Sequence, residues 1–425
     1  MKDCLKIKQI VKNKNRIDFI YETEGKWNEL LNSKEKMYVE YDLNIESVPN
    51  SIAIIPFLCN ILPISWVFDL KIFLEEIDEN FYNNLEKVKK GYQEMYPSIK
   101  MKGQLTVNSI INNYYDAEKS GTFFSGGVDA FDTLLRHIDE KPTLMTVWGA
   151  DIRTDNFEGW NIVSNHIKKV AIDFQLEHSF IKTNFRTFIN YGELCKYIQK
   201  FIKGEWWHEF QHGIGLIGLT APLAYANKFK NVYIASSFTA LEKGKVTCAS
   251  DPTIDNHIHF AGCRTIHDGY EFARQHKIRN IVEWSSNNQK HIPLRVCWQS
   301  FSGKNCCECE KCYRTMLGII AQKKDPNDYG FDFTNEKRKK MMKKVKRIVQ
   351  YDHLRYSYIQ KAFLDNYSQE DTPDDLMWLR NVEFKNQKPI HIKVLNKINQ
   401  LFFRVKNKLF KIIGKKNKLI FIIKT

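Results

Sequence analysis

Four cysteines near the end of the main body of this 425-residue chain are spaced like the ligands of a metal ion. Cys297, Cys306, Cys309 and Cys312 follow the pattern C-x8-C-x2-C-x2-C. Zn²⁺ takes four soft ligands in a tetrahedron, and overlapping C-x2-C steps supply thiolates in that way. A closed Cys4 site leaves no position for a substrate, so the pattern predicts a structural zinc ion. Cys307 lies outside the x2 steps and is expected to be a bystander.

A glycine turn is the second candidate for chemistry, and it lies between a predicted buried strand and a predicted helix. It contains Ser125, Gly126, Gly127, Val128 and Asp129. Paired glycines let backbone N–H groups converge, and a helix N-terminus adds positive potential, so the turn is suited to a phosphate. Ser125 would donate its hydroxyl, and Asp129 would orient the loop or hold Mg²⁺. The turn has neither a GK[ST] lysine nor a GxGxxG pattern, and a tight turn that binds nothing is the alternative.

These sites need a scaffold, and the hydrophobic pattern divides the chain into three regions. Residues 1–115 predict a small α+β domain, with strands at 17–21, 37–41, 52–56 and 102–107 and a helix at 81–95. Residues 116–330 alternate between strands (122–124, 143–148, 178–183, 232–236, 281–284) and helices (130–138, 161–174, 212–227, 268–276). This alternation predicts an α/β domain with a parallel sheet and helices on both faces. Residues 331–425 predict a basic helical region.

Composition and charge narrow the class of protein. The chain is 43% hydrophobic and 27% charged, as in a soluble globular protein. Its start is polar and lacks the apolar core of a signal peptide, so we expect a reducing cytoplasm and metal-bound thiols rather than disulfides. No run of 18 uncharged apolar residues predicts a transmembrane span.

The net charge of +15 is concentrated near the C-terminus. The run 337–347 holds eight basic residues and 388–425 holds eleven, with no acid in either, so the remainder sums to about −4. A nucleic-acid partner is therefore not expected for the body. The tail places apolar residues on one helical face, namely Ile398, Leu401, Phe402, Val405, Leu409 and Ile412. That face suits peripheral contact with an anionic membrane or packing on the body, and both interpretations stay open.

Polar residues near the ends of the predicted strands are further candidates. His212 and His267 could act as catalytic bases, or could instead cap helices or fill the core. Candidates for substrate binding, which could equally be turn or N-cap residues, are Ser236, Ser237, Asp251 and Asp255. Arg314, beside the cysteines, is expected to pair with a carboxylate on the adjacent helix, and phosphate binding is the alternative.

Two of these motifs together resemble a known superfamily. The run Ser125 to Asp129 resembles the SGGxD[S/T] loop of the PP-loop ATP pyrophosphatases. The cysteine pattern followed by Arg314 is similar to the zinc motif of one branch, the 7-cyano-7-deazaguanine synthases. The resemblance covers about residues 117–322, half of the chain. Ala130 replaces the usual Ser or Thr, and 236–255 does not match the substrate segment of the synthases, so we expect a relative with a different substrate.

The resemblance implies a HUP/Rossmann-like sheet, an ATP and Mg²⁺ requirement, and an AMP-forming ligase of the amidating type. Such an enzyme adenylates an oxygen of a small-molecule acceptor and releases pyrophosphate. Ser125 to Asp129 would bind the pyrophosphate, and the backbone of Val147, Trp148 and Gly149 would meet the adenine. Asp129, His212 and His267 would be the catalytic candidates.

Two other functions remain open at this point. One is a tRNA-modifying sulfur transferase of the same superfamily, whose cysteines would hold an iron–sulfur cluster or carry persulfide. The other is a non-catalytic nucleotide-binding protein, for which Ala130 is the only support. The oligomeric state is also open, a homodimer included.

Overall fold

The structure is a computed structural model that describes residues 3–297 and 303–385. Within these ranges the strands are β1 (Cys4–Asn13), β2 (Arg16–Thr23), β3 (Tyr38–Tyr41), β4 (Lys71–Asp78), β5 (Gln104–Ile111), β6 (Lys119–Phe123), β7 (Thr143–Trp148), β8 (His178–Thr183), β9 (Phe229–Ala235) and β10 (Arg264–Asp268). The amphipathic tail predicted at 398–412 lies outside the described residues.

The α-helices of the same ranges are α1 (Trp27–Leu30), α2 (Asn50–Ala53), α3 (Ile55–Phe68), α4 (Glu79–Met95), α5 (Val128–Arg136), α6 (Phe157–Phe174), α7 (Tyr191–Ile198), α8 (His212–Leu219), α9 (Ala221–Asn227), α10 (Pro252–Asp255), α11 (Arg274–Asn287), α12 (Glu310–Ile320), α13 (Asn335–Ile348), α14 (His353–Asn366) and α15 (Met377–Arg380). None of the helices in the described part of the chain is long and apolar enough to cross a membrane.

All ten strands belong to one mostly parallel sheet, in the order β10-β9-β6-β7-β8-β3-β2-β1-β4-β5. The pairs among β10, β9, β6, β7 and β8 are parallel, as the alternation of strands and helices predicts. β3 then joins β8 in antiparallel fashion, with Val39 opposite Thr183. β2 and β1 continue antiparallel, and β4 and β5 complete the sheet in parallel.

The chain divides into two compact units, of which the first ends at Lys337 and the second begins at Arg338. The boundary predicted at residues 115/116 falls between β5 and β6, and strands on both sides of it belong to the same sheet. In the second unit Arg338 donates from Nε to Asp375 Oδ2 at 2.6 Å.

Three secondary-structure predictions are wrong. The strand predicted at 52–56 is helical, in α2 and the start of α3, where almost every residue is buried. A short apolar run cannot distinguish a buried strand from a buried helix. The helix predicted at 268–276 is the end of β10 and a turn into α11. The strand predicted at 281–284 lies inside α11, where Ile281 and Val282 form part of the buried face.

The order of the parallel strands positions the glycine turn. β6 lies between β7 and β9, so the chain moves to one side of β6 first and returns later on the other side. The carboxyl ends of these strands meet at one edge, and the reversal opens a crevice there, which is where open α/β sheets bind ligands. The turn 124–127 follows β6 directly and lies at that crevice.

Candidate functional site

The end of β6 is held firmly by β7. Phe124 donates its backbone N–H to Met145 O at 2.8 Å, and Thr146 Oγ1 donates to Phe124 O at 2.6 Å. α5 begins at Val128 with Gly127 at its N-cap, and no side chain caps this helix. The first N–H groups of a helix that lack a cap are available to an anion.

Gly126 is a position where the turn requires glycine. Its φ is +77°, in the left-handed region. A Cβ at Gly126 would lie 2.7 Å from His166 Nε2 and 3.2 Å from Arg295 Cβ. Burial, with Arg295 nearby, lowers the pKa of His166 to about 4, so the imidazole that borders the turn is neutral at pH 7.

Asp129, in the first turn of α5, is paired with cations. Arg274 Nη2 lies 2.5 Å from Asp129 Oδ2, and Lys277 Nζ lies 3.7 Å from Oδ1. Burial acts to raise the pKa of Asp129, but Arg274, Lys277, Lys311 and Arg314 outweigh it and hold the pKa below its ordinary value. Of the two roles predicted for Asp129, this pairing favours orienting the loop over holding Mg²⁺.

The segment just before Cys297, the first predicted metal ligand, brings a further cation to the turn. Arg295 donates from its backbone N to Gly126 O at 2.6 Å and from Nε to Ser125 O at 3.1 Å. Lys311 lies on α12 among Arg274, Arg314, Asp129 and Asp151. Burial and Arg274 lower the pKa of Lys311, and the two carboxylates oppose that shift. Arg295 therefore contacts the turn itself, and Arg274 and Lys277 of α11 contact Asp129 in the first turn of the helix that follows.

The four predicted metal ligands come together. Cys297 Sγ lies 3.9 Å from Cys309 Sγ, and Cys306 Sγ lies 3.8 Å from Cys312 Sγ. All four sulfurs lie within 4.8 Å of one another. A tetrahedron with Zn–S bonds of about 2.3 Å has S–S edges of about 3.8 Å, so the cluster could hold one zinc ion. The predicted bystander Cys307 is not part of the cluster.

Hydrogen bonding and electrostatics also fit a cation in this cage. Cys306 Sγ accepts from Cys309 N at 3.3 Å, and Cys309 Sγ accepts from Cys312 N at 3.5 Å. Backbone N–H donors of this kind stabilise thiolates. Without an ion, hydrogen bonds among the four sulfurs lower the pKa of Cys297 and raise that of Cys312, so the cluster holds thiolates and thiols together. A bound cation would favour the thiolate form of all four.

The metal ligands and the glycine turn are directly connected. Asn305 Oδ1 accepts from the backbone N of Val296 at 2.9 Å and of Cys297 at 3.2 Å. The same short segment includes Arg295, which holds Gly126 and Ser125. α12 starts at the N-cap Cys309 and carries Lys311 and Arg314 in its first turns. The cysteine cluster thus braces the cations that face the turn.

The predicted catalytic histidines lie in a buried polar cluster. His267 Nδ1 lies 2.8 Å from Asp255 Oδ2, which also accepts from Ser250 Oγ at 2.8 Å. His267 Nε2 is buried and has no hydrogen-bond partner among the described residues. His212 Nδ1 lies 3.8 Å from Cys248 Sγ. Burial lowers the pKa of His212 to about 4 and raises that of Cys248 to about 12, so both side chains are neutral at pH 7.

Other predicted site residues have local structural roles. Asp251 caps α10 by accepting from Thr253 N at 2.9 Å. Ser236 is buried, and its Oγ donates to Phe238 O at 2.6 Å, whereas Ser237 is exposed. Arg314 Nε lies 3.4 Å from Glu310 Oε1, one turn earlier on the same helix.

The end of β7 is shaped by aromatic packing. Trp148 stacks on Trp160 with a centroid distance of 5.1 Å, and its Nε1 donates to Arg153 O at 2.9 Å. Val147 pairs with Ile181 of β8. Gly149 has φ +120° and donates its N–H to Ile152 O at 2.9 Å. The N–H of Gly149 is therefore already occupied in this structure.

The sequence analysis missed four cations, namely Arg274, Lys277, Arg295 and Lys311. Arg274 lies in, and Lys277 lies just after, the segment 268–276, which was wrongly predicted to be helical throughout. Arg295 and Lys311 are each within two residues of a predicted metal ligand, and that proximity was a usable signal.

A network around Asp268, at the C-terminal end of α5, predicts that the free energy of unfolding depends on pH. Asp268 accepts from Thr133 Oγ1 at 2.6 Å and from Arg136 Nη1 at 3.0 Å, and its Oδ1 lies 3.0 Å from His137 Nε2. Burial acts to raise the pKa of Asp268, but His137, Arg136 and Thr133 lower it to about 2. Because this pKa is below that of the unfolded chain, the stabilisation is complete above about pH 4 and is lost as the pH falls towards 2.

We expect Asp268→Asn to reduce the free energy of unfolding by about 2 kcal/mol at pH 7. Urea unfolding at several pH values should show the difference from wild type shrinking between about pH 4 and pH 2. Asp69→Asn is the control, because Asp69 is exposed and its two contacts, with Lys102 Nζ and with Gly103 N at 3.3 Å each, lie at the surface. A difference that stays constant down to pH 3 would contradict the assignment.

Comparison with known proteins gives no relative. No protein-family model, no curated protein and no solved structure matches this chain.

Proposed function

We propose that this protein is an AMP-forming, ATP-dependent ligase of the PP-loop type, which adenylates an oxygen of a small-molecule acceptor and releases pyrophosphate. One observation carries the proposal: the Ser125–Gly126–Gly127 turn lies at the crevice of the parallel sheet, and Arg274, Lys277, Arg295 and Lys311 surround it or its first helical turn. The order third, second, first, fourth, fifth of the strands β6–β10 supports a HUP/Rossmann-like core.

The chemistry requires charge stabilisation more than a protein nucleophile. When the acceptor oxygen attacks the α-phosphorus, negative charge develops on the departing pyrophosphate. Backbone N–H groups of the turn and fixed cations would stabilise that charge without the free-energy cost of reorganisation that water molecules would have. Mg²⁺, bound with ATP, would neutralise further charge on the phosphate oxygens. Ser125, Gly126, Gly127 and Val128 would provide the turn's contacts.

The remaining predicted residues have narrower roles in this proposal. The adenine would lie near the ends of β6 and β7, beside Val147, Trp148 and Gly149. His212 is the predicted base for an attacking amine or ammonia. Burial lowers its pKa to about 4, so it is neutral at pH 7 but is a weaker base than an ordinary histidine. The acceptor would approach from the end of β9, which Ser236 and Ser237 follow, and from α10, which Asp251 caps and Asp255 ends.

The cysteine geometry supports the ligase over the sulfur transferase. Four sulfurs within 4.8 Å fit a single tetrahedral ion. An iron–sulfur cluster inserts several irons and sulfides among its cysteines and needs a wider cage. We propose zinc as the ion, with a structural role, in a cytoplasmic protein. For the basic tail, peripheral contact with an anionic membrane and packing on the body both stay open.

Product analysis with labelled ATP tests the reaction type. The protein, with MgATP labelled at the α- or the γ-phosphate, is incubated with fractions of a small-molecule cell extract. We expect the labels to appear as AMP and as pyrophosphate in the fractions that contain the acceptor. ADP with orthophosphate as the main products would contradict the proposal, and so would labelled ATP that stays intact in every fraction.

A pair of variants on one helix serves as the matched control. Arg274→Gln removes the cation that pairs with Asp129, and we expect the rate of pyrophosphate release to fall by about 100-fold or more. Arg279→Gln lies on the same helix α11, in an exposed pair with Glu283 at 3.7 Å, and should leave the rate unchanged. Equal rates of pyrophosphate release for the two variants would show that the cation cluster has no role in the reaction.

A further inference from the structure

We propose that β5 is the surface through which two copies of this protein associate. The two β5 strands would pair edge to edge and antiparallel, so that two sheets become one. β5 is the last strand of its sheet, and β4 is the only strand beside it in the described part of the chain. This association is independent of the proposed function.

The free edge of β5 is accessible along its whole length. None of the residues Gln104–Ile111 is buried. Gln104 donates its backbone N–H to Leu70 O at 3.0 Å, on the side of β4. Because successive residues of a strand direct their backbone groups to opposite sides, the outward N–H and C=O groups belong to Leu105, Val107, Ser109 and Ile111. Such a row of backbone groups is a template for another strand.

The sequence of β5 has none of the features with which proteins usually protect a free edge. Its eight residues, QLTVNSII, include no charge and no proline, and four of them are β-branched. Its pairing with β4 has no bulge. The opposite edge of the sheet is covered, because the N–H of His267 in β10 donates to Asn256 Oδ1 at 2.6 Å. The chain thus covers one edge of its sheet and leaves the other open.

The spacing of the outward backbone groups suits a second copy of the same strand. In an antiparallel pair, Val107 of one copy can lie opposite Ser109 of the other. Leu105 then lies opposite Ile111, so every outward residue has a partner. Since the contact is the same on both copies, it is self-complementary and closes as a dimer.

The side chains on the outer face of β5 are compatible with this register. Asn108 lies on the two-fold axis, opposite its own copy, and is uncharged. Thr106 lies opposite Ile110, which is 49% exposed in the single chain. A β-branched pair of this kind stabilises neighbouring strands, and the two-fold axis provides it twice. Pairing would therefore cover one of the large apolar side chains that the single chain exposes.

The charges around β4 and β5 favour a second copy over an unrelated strand. Lys71 and Lys102 lie at the start of this strand pair, where Asp69 offsets one of them. Glu75 and Glu79 lie towards its end, where they accept from asparagine side chains in or next to β5. Antiparallel pairing places the start of one copy beside the end of the other, so opposite charges approach each other across the contact.

Sedimentation velocity at several concentrations tests the dimer and its location. One strand from each copy makes a small interface, so we expect wild type to be mostly dimeric at about 100 µM and mostly monomeric below about 1 µM. Val107→Pro removes an outward N–H but none that pairs with β4, and should raise the dissociation constant by about 100-fold or more. Ile20→Lys, at an exposed position of β2 inside the sheet, is the control and should associate like wild type.

A pair of double variants tests the register and covers the case in which Val107→Pro fails to fold. Thr106→Lys with Ile110→Lys places like charges opposite each other twice, and should raise the dissociation constant by about 100-fold or more. Thr106→Lys with Ile110→Glu changes the same exposed positions but places opposite charges there, and should dimerise at least as well as wild type.

Three results would overturn the proposal. The first is wild type that stays monomeric at about 100 µM. The second is a wild-type dimer whose dissociation constant is unchanged by Val107→Pro and by the double lysine variant, since the two copies would then meet elsewhere. The third is an equal dissociation constant for the two double variants, because the proposed register requires them to differ.

Discussion

Cys309→Ser is expected to reduce bound zinc from one ion per chain to almost none and to lower the Tm by more than about 10 °C. The effect is large because Cys309 has two functions. Its sulfur lies 3.9 Å from Cys297 Sγ in the cluster, and it also caps α12. Structural zinc contributes folding free energy outright, of the order of 10 kcal/mol in small metal-binding domains.

The neighbouring thiol provides the control for that prediction. Cys307 is buried beside Cys306 but is outside the cluster, so Cys307→Ser should keep the full metal content and most of the stability. Metal analysis of dialysed protein and thermal unfolding by circular dichroism are the two measurements. A Cys309→Ser protein that retains one equivalent of zinc would contradict the assignment of the metal centre.

Gly126→Ala is expected to weaken MgATP binding by about 100-fold or more while the protein stays folded. The added methyl group meets His166 Nε2 at 2.7 Å and Arg295 Cβ at 3.2 Å, so the turn must move away from its neighbours. The left-handed backbone at φ +77° adds about 1–2 kcal/mol of strain for alanine. Because Arg295 also holds Ser125 O and Gly126 O, a shift of the turn disturbs the cations as well.

Gly244→Ala separates backbone strain from displacement of the turn. Gly244 has almost the same φ, +76°, but a Cβ there has no neighbouring atom within 4 Å. We therefore expect Gly244→Ala to lose only the small amount of stability that backbone strain costs, measured by urea unfolding, and Gly126→Ala to lose more because of its close contacts. A loss of MgATP affinity is expected only in Gly126→Ala. An affinity for MgATP in Gly126→Ala equal to that of the wild type would show that the turn is not part of the binding site.

The features predicted best from the sequence are those that depend on local spacing. The C-x8-C-x2-C-x2-C pattern predicted the cluster because ligands with two residues between them reach the same ion whatever the rest of the fold does. The strands 143–148 and 178–183 match β7 and β8, since each is a short apolar or alternating run between turn residues.

Features that depend on distant contacts were not predictable in the same way. The pairing of β3 with β8 joins residues about 140 positions apart, and no local pattern encodes it. The cations beside the turn come from α11, α12 and the segment before Cys297, and only the folded chain brings them together. In α11 the apolar residues Ile281 and Val282 suggested a strand, but tertiary packing buries them as one face of a helix.

The central claim is that the glycine turn and its surrounding cations bind the diphosphate part of ATP. Equilibrium titration of the zinc-loaded protein with ATP, with and without Mg²⁺ and with inorganic pyrophosphate as competitor, tests it most directly. We predict saturable, Mg²⁺-dependent binding of one nucleotide per chain that pyrophosphate displaces. Failure to bind at millimolar ATP, or binding that pyrophosphate does not displace, would contradict the claim.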